Sequence, residues 1–423
     1  LLPGRYFRVA RRETGMNLGR LIRRTGSVGP VDAVLAAVVI ALLGFGVVMV
    51  FSASTIEATA VYRDPQYFLK RQGVYALVAL TLMLVISRID YHRIKPFTYP
   101  ILGGVTILML MSVVGFGHSG GGAARWLAVG PVHIQPSEIA KLALIFWLAY
   151  SLEKKREQVK SFSIGMLPHL LMAGALMLLC LKQPDFGGAS VLLFLTFTLL
   201  FVAGVRLGYL LGAAMLGAVF AVWAVRFTSY RWERMLAWFN MNEHRQDLAY
   251  QPFQSVMSFG SGQLSGVGLG KGFQALYLPE AHTDFISAII GEELGFIGIL
   301  GLCLVYLVIV ARGVRVALLA GDDYGSYVAF GISVLFGVQA LVNLAVAMAI
   351  FPTKGLTLPF VSYGGSSLLV NAFAAGVLLN ISRARGPANR RIEEPFGPDP
   401  EASVLVASGV GYANAGSRRK ALA

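Results

Sequence analysis

Charge is scarce in this chain. Only 14 % of its 423 residues are Asp, Glu, Lys or Arg, where a soluble domain carries roughly a quarter. With 56 % hydrophobic residues and a mean hydropathy of +0.66, that shortage excludes an ordinary soluble domain. Cysteine is nearly missing as well. Cys180 and Cys303 both sit inside apolar runs, which argues against a structural disulfide and leaves no CxxC or His/Cys metal spacing. Nor do the segments carry the roughly ten-residue polar–apolar alternation of a porin. What the chain has instead is long apolar runs, near 31–52, 71–88, 97–116, 137–152, 164–181, 189–204, 208–226, 285–312, 326–350 and 367–382. Spanning segments must satisfy their backbone internally. The expected fold is therefore an all-α polytopic membrane protein of about ten transmembrane helices, with a large outer loop, 227–284, between the seventh and eighth.

The net charge of +14 does not point to nucleic acid, because its basic residues recur in alternate connections, as the positive-inside rule requires. Segments 88–96 (Arg88, Arg93, Lys95), 153–163 (Lys154, Lys155, Arg156, Lys160), the turn at Arg206 and 312–325 (Arg312, Arg315) read as cytosolic. Both termini then lie in the cytosol. Residues 1–30 read as a basic tail, 31–383 as the transmembrane domain, and 384–423 as a second, disordered tail. Connections 53–70, 117–136, 182–188, 227–284 and 351–366 fall outside. In the longest of these, Arg231-Trp232-Glu233-Arg234-Met235-Leu236-Ala237-Trp238-Phe239 mixes charges and aromatics as an interfacial helix does.

The strongest chemical constellation is Leu278-Pro279-Glu280-Ala281-His282-Thr283-Asp284-Phe285, ending where the eighth run begins. It sets an acid, an imidazole and a second acid at the outer surface. Asp284 there has two compatible readings: a general base whose affinity for protons rises on desolvation, or the cap of the following helix. Deeper in the same run lie Glu292 and Glu293, with Lys141 as the cation of matching character. Such residues at membrane depth are costly, and a structural ion-pair network is the preferred reading. Lys182 and Asp185 suggest another outer-edge pair. The outer cations Arg71, Arg125, Lys141, Lys182, Arg231, Arg234, Arg245, Lys271 and Lys354 are available either to bind lipid-carrier phosphates or to snorkel to headgroups. Pro352 to Ser367, rich in small residues and including Ser362, interrupts two spans and either borders a substrate cavity or forms a plain re-entrant turn. Two apparent motifs fail in context. Gly266-x-Gly268-x-Gly270-Lys271-Gly272 lacks the Ser/Thr and the strand of a phosphate loop, and Ser151-x-x-Lys154 lies in a cytosolic charge run.

From about residue 30 to 385 the chain resembles the SEDS family (shape, elongation, division and sporulation proteins). The resemblance rests on Arg125-Trp126 followed by Gln135-Pro136-Ser137-Glu138-x-x-Lys141, on Gln183-Pro184-Asp185-Phe186-Gly187, on the 278–285 motif, and on Pro359-Phe360-x-Ser362-Tyr363-Gly364-Gly365-Ser366. Lys354-Gly355-Leu356-Thr357-Leu358-Pro359 is the division-type wording rather than the elongation-type one, although His133 stands where division-type members often carry Arg. The resemblance implies a glycosyltransferase that polymerises lipid II at the outer face of the bacterial cytoplasmic membrane, at the division septum, and releases undecaprenyl pyrophosphate. It puts the catalytic Asp on Asp284. Arg71, Arg125, Lys141, Lys182, Glu280, His282, Lys354 and Ser362 are the candidate substrate contacts, and a divalent cation (Mg or Mn) is the one cofactor suggested. The implied partners are a class b penicillin-binding transpeptidase and other division membrane proteins. A lipid II flippase and a non-catalytic activator of the transpeptidase are the rival roles. Clustering of the distinctive motifs outside favours the enzyme.

The charge asymmetry generates a direct topology test. With Cys180 and Cys303 replaced, a cysteine at position 245 is expected to react with an impermeant maleimide in intact cells; labelling only after permeabilisation would invert the assignment.

Overall fold

The computed structural model describes residues 29–384 apart from 117, 121–122, 130–131 and 354. The expected tails at 1–30 and 384–423 therefore lie almost wholly outside the described residues. Each of the ten apolar runs forms a helix. These are α1 (Ala33–Tyr62), α2 (Tyr67–Ile86), α3 (Thr98–Met111), α4 (Pro136–Lys154), α5 (Leu167–Lys182), α6 (Phe186–Val202), α7 (Leu207–Arg226), and, after the long connection, α10 (Ile286–Leu319), α11 (Asp323–Ala347) and α12 (Gly365–Arg383). Eight of them, counted with their flanking turns, are long and apolar enough to cross a membrane. Of the other two, α6 is short, and α4 carries Glu138, Lys141, Glu153 and Lys154.

Two features add detail to the expected all-α membrane fold. The long connection 227–284 carries structure of its own. It folds as α8 (Ser229–Phe239), over the stretch read as interfacial, and α9 (Tyr250–Gly262), which apolar periodicity did not reveal. Both dock on the end of α11: Trp238 Nε1 donates to the Ala349 carbonyl at 2.7 Å and Ser255 Oγ to that of Ala347 at 2.5 Å. A small sheet accompanies the helices in the connection before α4. Strands β1 (His118–Gly120), β2 (Ala123–Val129) and β3 (Val132–Ile134) form an antiparallel sheet in sequence order, with Leu127 opposite Ile134 and Ala128 opposite His133. Segments this short have no membrane to cross, so paired strands satisfy their backbones as well as a helix would.

Within the spans, hydroxyls bond back to their own helix: Thr196 Oγ1 to Leu192 (2.7 Å) and Ser333 Oγ to Ala329 (2.6 Å). Helix α10 packs most extensively on α11, and α12 on α2. One end of the bundle is tied by Asp32, which caps α1 through the Leu35 N–H (3.0 Å) and takes two bonds from Arg312 (2.7 and 2.9 Å) at the end of α10. Gly29 N–H reaches the Arg383 carbonyl at 2.9 Å, bringing in α12.

Helix α10 is broken at Gly295, where φ is 66° and ψ is −163°. The break admits the chain that follows α9. Val267 and Gly268 N–H groups donate to the Glu292 and Glu293 carbonyls, and Phe296 and Ile297 N–H groups donate to Gln263 and Leu264. A Cβ at Gly295 would stand 2.3 Å from the Gly266 nitrogen. Gly295→Ala is accordingly expected to cost about 2 kcal/mol or more. Gly301→Ala, with nothing within 4 Å, serves as the comparison in detergent thermal melts; equal melting points would dismiss the strain.

Candidate functional site

The 278–285 segment forms a turn before α10, and its geometry comes from one carbonyl. Glu280, itself at φ 58°, accepts at its oxygen the N–H groups of Thr283, Asp284 and Phe285 at 3.1, 3.2 and 3.3 Å. The Glu280 side chain is exposed and accepts from the Thr283 hydroxyl at 2.8 Å. The cap position of α10 falls on Phe285, one residue beyond Asp284. Asp284 is half-buried. A Cβ on Gly355 would come within 2.8 Å of its carboxylate, so glycine at 355 is what leaves that carboxylate room.

His282 is 5 % exposed and works as a joint. Its ring lies 4.5 Å from that of Phe68 and 5.5 Å from that of Tyr363, and its carbonyl accepts the Tyr363 N–H at 2.9 Å. Its Nδ1 stands 3.3 Å from the Glu57 carboxylate. Arg71, exposed, stacks over Tyr67 at 4.5 Å and meets the Tyr363 hydroxyl. Burial raises the Tyr363 pKa while the Arg71 guanidinium opposes it, so the phenol stays protonated at neutral pH. The turn, the start of α2 and residues 355–364 thus bring Arg71, Glu280, His282 and Asp284 to one end of the bundle.

Other expected site residues have different duties. Ser362 is buried; its Oγ accepts the Leu358 N–H at 2.8 Å, which shapes the 352–364 chain from within. Lys141 does not pair with Glu292 or Glu293. It is 1 % exposed and bound to Glu138, one turn away on α4, at 2.7 Å. Glu138 also accepts from Ser367 (3.4 Å), whose hydroxyl pairs with Thr357 (2.8 Å). The two glutamates of α10 have other partners: Glu292 accepts Phe273 N–H at 2.8 Å, and Glu293 accepts the Ser52 hydroxyl. The inserted glycine-rich chain offers unpaired N–H groups at that depth, and carboxylates satisfy them where a lysine could not. Lys182 is exposed, and Asp185 turns its carboxylate to cap α6 at the Gly188 N–H (2.8 Å) rather than to pair with it. Lys354 lies outside the described residues, and Arg125 is described only as backbone in β2. Among the described residues no three His, Cys, Asp or Glu side chains converge as a metal cage.

Sequence reasoning overlooked Asn343. It sits 1 % exposed within α11, and its amide bonds both the Asp284 turn and residue 356. A carboxamide in the middle of an apolar run was the available signal.

Against known proteins, residues 33–386 match the model of a family described as cell cycle protein, FtsW/RodA/SpoVE. A Geobacter metallireducens protein named "Probable peptidoglycan glycosyltransferase FtsW" is 46 % identical over 353 residues, covering 83 % of this chain and 94 % of its own. "Stage V sporulation protein E" of Bacillus subtilis is 38 % identical over 83 % of this chain and 97 % of its own. Two solved structures are similar in fold. One, described as "Structural coordination of polymerization and crosslinking by a peptidoglycan synthase complex", gives a TM-score of 0.69 at 30 % identity over 84 % of this chain and 98 % of that one. The rod shape determining protein RodA of Thermus thermophilus gives 0.63 at 31 % identity, with 84 % and 97 % covered.

The closed Glu138–Lys141 pair makes a quantitative prediction. Lys141→Met should destabilise the protein by about 3–5 kcal/mol, because it strands a buried carboxylate, while Glu138→Gln/Lys141→Met should recover most of that loss. A double-mutant cycle of detergent melts reads it, and additive losses would show the two do not act as a pair.

Proposed function

The chain is a multi-pass membrane protein belonging to the FtsW/RodA/SpoVE family, and from that premise we propose that it is a division-type peptidoglycan glycosyltransferase, polymerising lipid II outside the cytoplasmic membrane. The observation that carries this reading is the assembly at one end of the bundle. A half-buried Asp284 stands against Gly355, two residues from buried His282, with Arg71 and Tyr363 packed on the same joint.

Asp284 acts as the general base. It takes the proton from the acceptor sugar's 4-hydroxyl as that oxygen bonds to the donor's anomeric carbon, and the bond from that carbon to the pyrophosphate breaks. Undecaprenyl pyrophosphate leaves. Exposed Arg71 is the described cation suited to offset the departing charge. A divalent cation would be held here by a carboxylate together with the substrate's own phosphates, as Mg²⁺ commonly is. The buried Glu138–Lys141 pair is satisfied internally, and the clustering of the distinctive motifs at the outer end favours an enzyme over a transporter. By the Lys/Arg asymmetry the end carrying Asp284 faces outward and both termini are cytosolic; the division-type wording of residues 354–359 supports the septum as the site of action. Similarity to a chain of a peptidoglycan synthase complex supports a class b penicillin-binding transpeptidase as the membrane partner.

Purified protein incubated with labelled lipid II and its partner is expected to yield glycan polymer. Asp284→Asn should lower that yield by about 10²–10⁴-fold, with folding and partner binding intact, since Asn keeps the volume but not the proton affinity. Glu280→Gln should cost less. Near-normal polymer from folded Asp284→Asn protein would remove the base assignment.

A further inference from the structure

We propose that Asn343 is the positioning residue of this site, clamping the turn that carries Asp284 to the segment that carries Gly355. The inference rests on Asp284 being the base, as above. Asn343 Nδ2 donates to the Asp284 carbonyl at 2.9 Å and to the Leu356 carbonyl at 2.7 Å, while its Oδ1 accepts from the Ser287 hydroxyl at 2.9 Å. An amide nitrogen has two protons, and both are used. The orientation of the group is not arbitrary, because the two carbonyls can only accept.

The helix itself does not supply these bonds. In a regular turn the Asp284 carbonyl would receive the N–H of Ala288, but that N–H goes to Phe285 at 2.9 Å. Leu356, 3 % exposed, lies in irregular chain with no helical partner. Both carbonyls are thus satisfied from α11, a rigid buried helix, by one side chain. The direct bond from Tyr363 N–H to the His282 carbonyl fixes the other end of the same contact. Between the two ties, the Asp284 carboxylate and Gly355 are held facing each other. Asn343 is buried behind the turn and sets where the base stands. Reacting groups lose about 10²-fold in rate for a displacement near 1 Å, so a loosened clamp should be read in turnover rather than in affinity.

The test is steady-state polymerisation by full-length protein with its partner, using lipid II as substrate. Asn343→Ala and Asn343→Asp both remove the two donors, and Asp keeps the volume. Each is expected to lower kcat by about 10–100-fold with KM within about 3-fold. Ser333→Ala, on the same helix with a hydroxyl bonded only to its own backbone, should stay within about 2-fold of wild type. Melting temperature and partner co-purification report folding. Asn343→Gln keeps both donors but shifts them by a methylene, and should fold with reduced kcat and unchanged KM even where the shorter variants unfold. Unaltered kcat in the folded variants, a defect confined to KM, or failure of every Asn343 variant to fold would each overturn the proposal. These results are distinct from failure of the base assignment, which shows as an active Asp284→Asn enzyme whatever position 343 carries.

Discussion

A polar group at the depth of the hydrocarbon has no water to bond, so each must find its partner within the chain or pay several kcal/mol. Much of what is distinctive in this bundle follows from that obligation. Thr196 and Ser333 satisfy themselves on their own helices. Lys141 and Glu138 close on each other one turn apart. Glu292 and Glu293 hold the N–H groups and hydroxyl of neighbouring segments. Where the inserted chain after α9 breaks α10, the freed carbonyls and N–H groups of the helix are taken up by that chain, donor for acceptor. Gly295 makes this exchange possible, since its backbone adopts a conformation closed to residues with a side chain.

The same obligation separates framework from chemistry. Lys141, Glu138, Glu292 and Glu293, inside the bundle, hold protein partners. The site differs in lying at the bundle's end, where Asp284 is half-buried rather than sealed and where glycine at 355 leaves space beside it. His282 illustrates the opposite choice. Buried between Phe68 and Tyr363, it serves as a packing joint that ties the start of α2 to the turn before α10. At the other end of the bundle, Asp32, Arg312 and Ser382 knot α1, α10 and α12 together, and Tyr91 and His92 hold Asp322. Rigid helices anchored there deliver Glu57, the Asp284 turn and residue 365 to the site with little freedom of their own.

Hydropathy and charge asymmetry sufficed for the class of fold, the ten helices and the segregation of Asp284 and Arg71 from the basic connections, because each of those is a property of a contiguous stretch. The motif 278–285 was legible for the same reason: its acids and imidazole are neighbours in the chain. Partner choice was not. Local spacing allows the Glu138–Lys141 pair on α4 and the Asp185 cap on α6, but it does not decide them against Glu292 and Lys182, and nothing local turns Ser362 inward. Those outcomes depend on which backbone groups the packing leaves unsatisfied nearby. Helix α9 escaped because it is short and only partly apolar, and the sheet because its strands are too brief for a periodic signal. Asn343 is the clearest case. As sequence it is one amide in an apolar run; its role exists only because folding carries residue 284 and residue 356 to the same side chain, and a bond between segments that distant is decided by the tertiary structure alone.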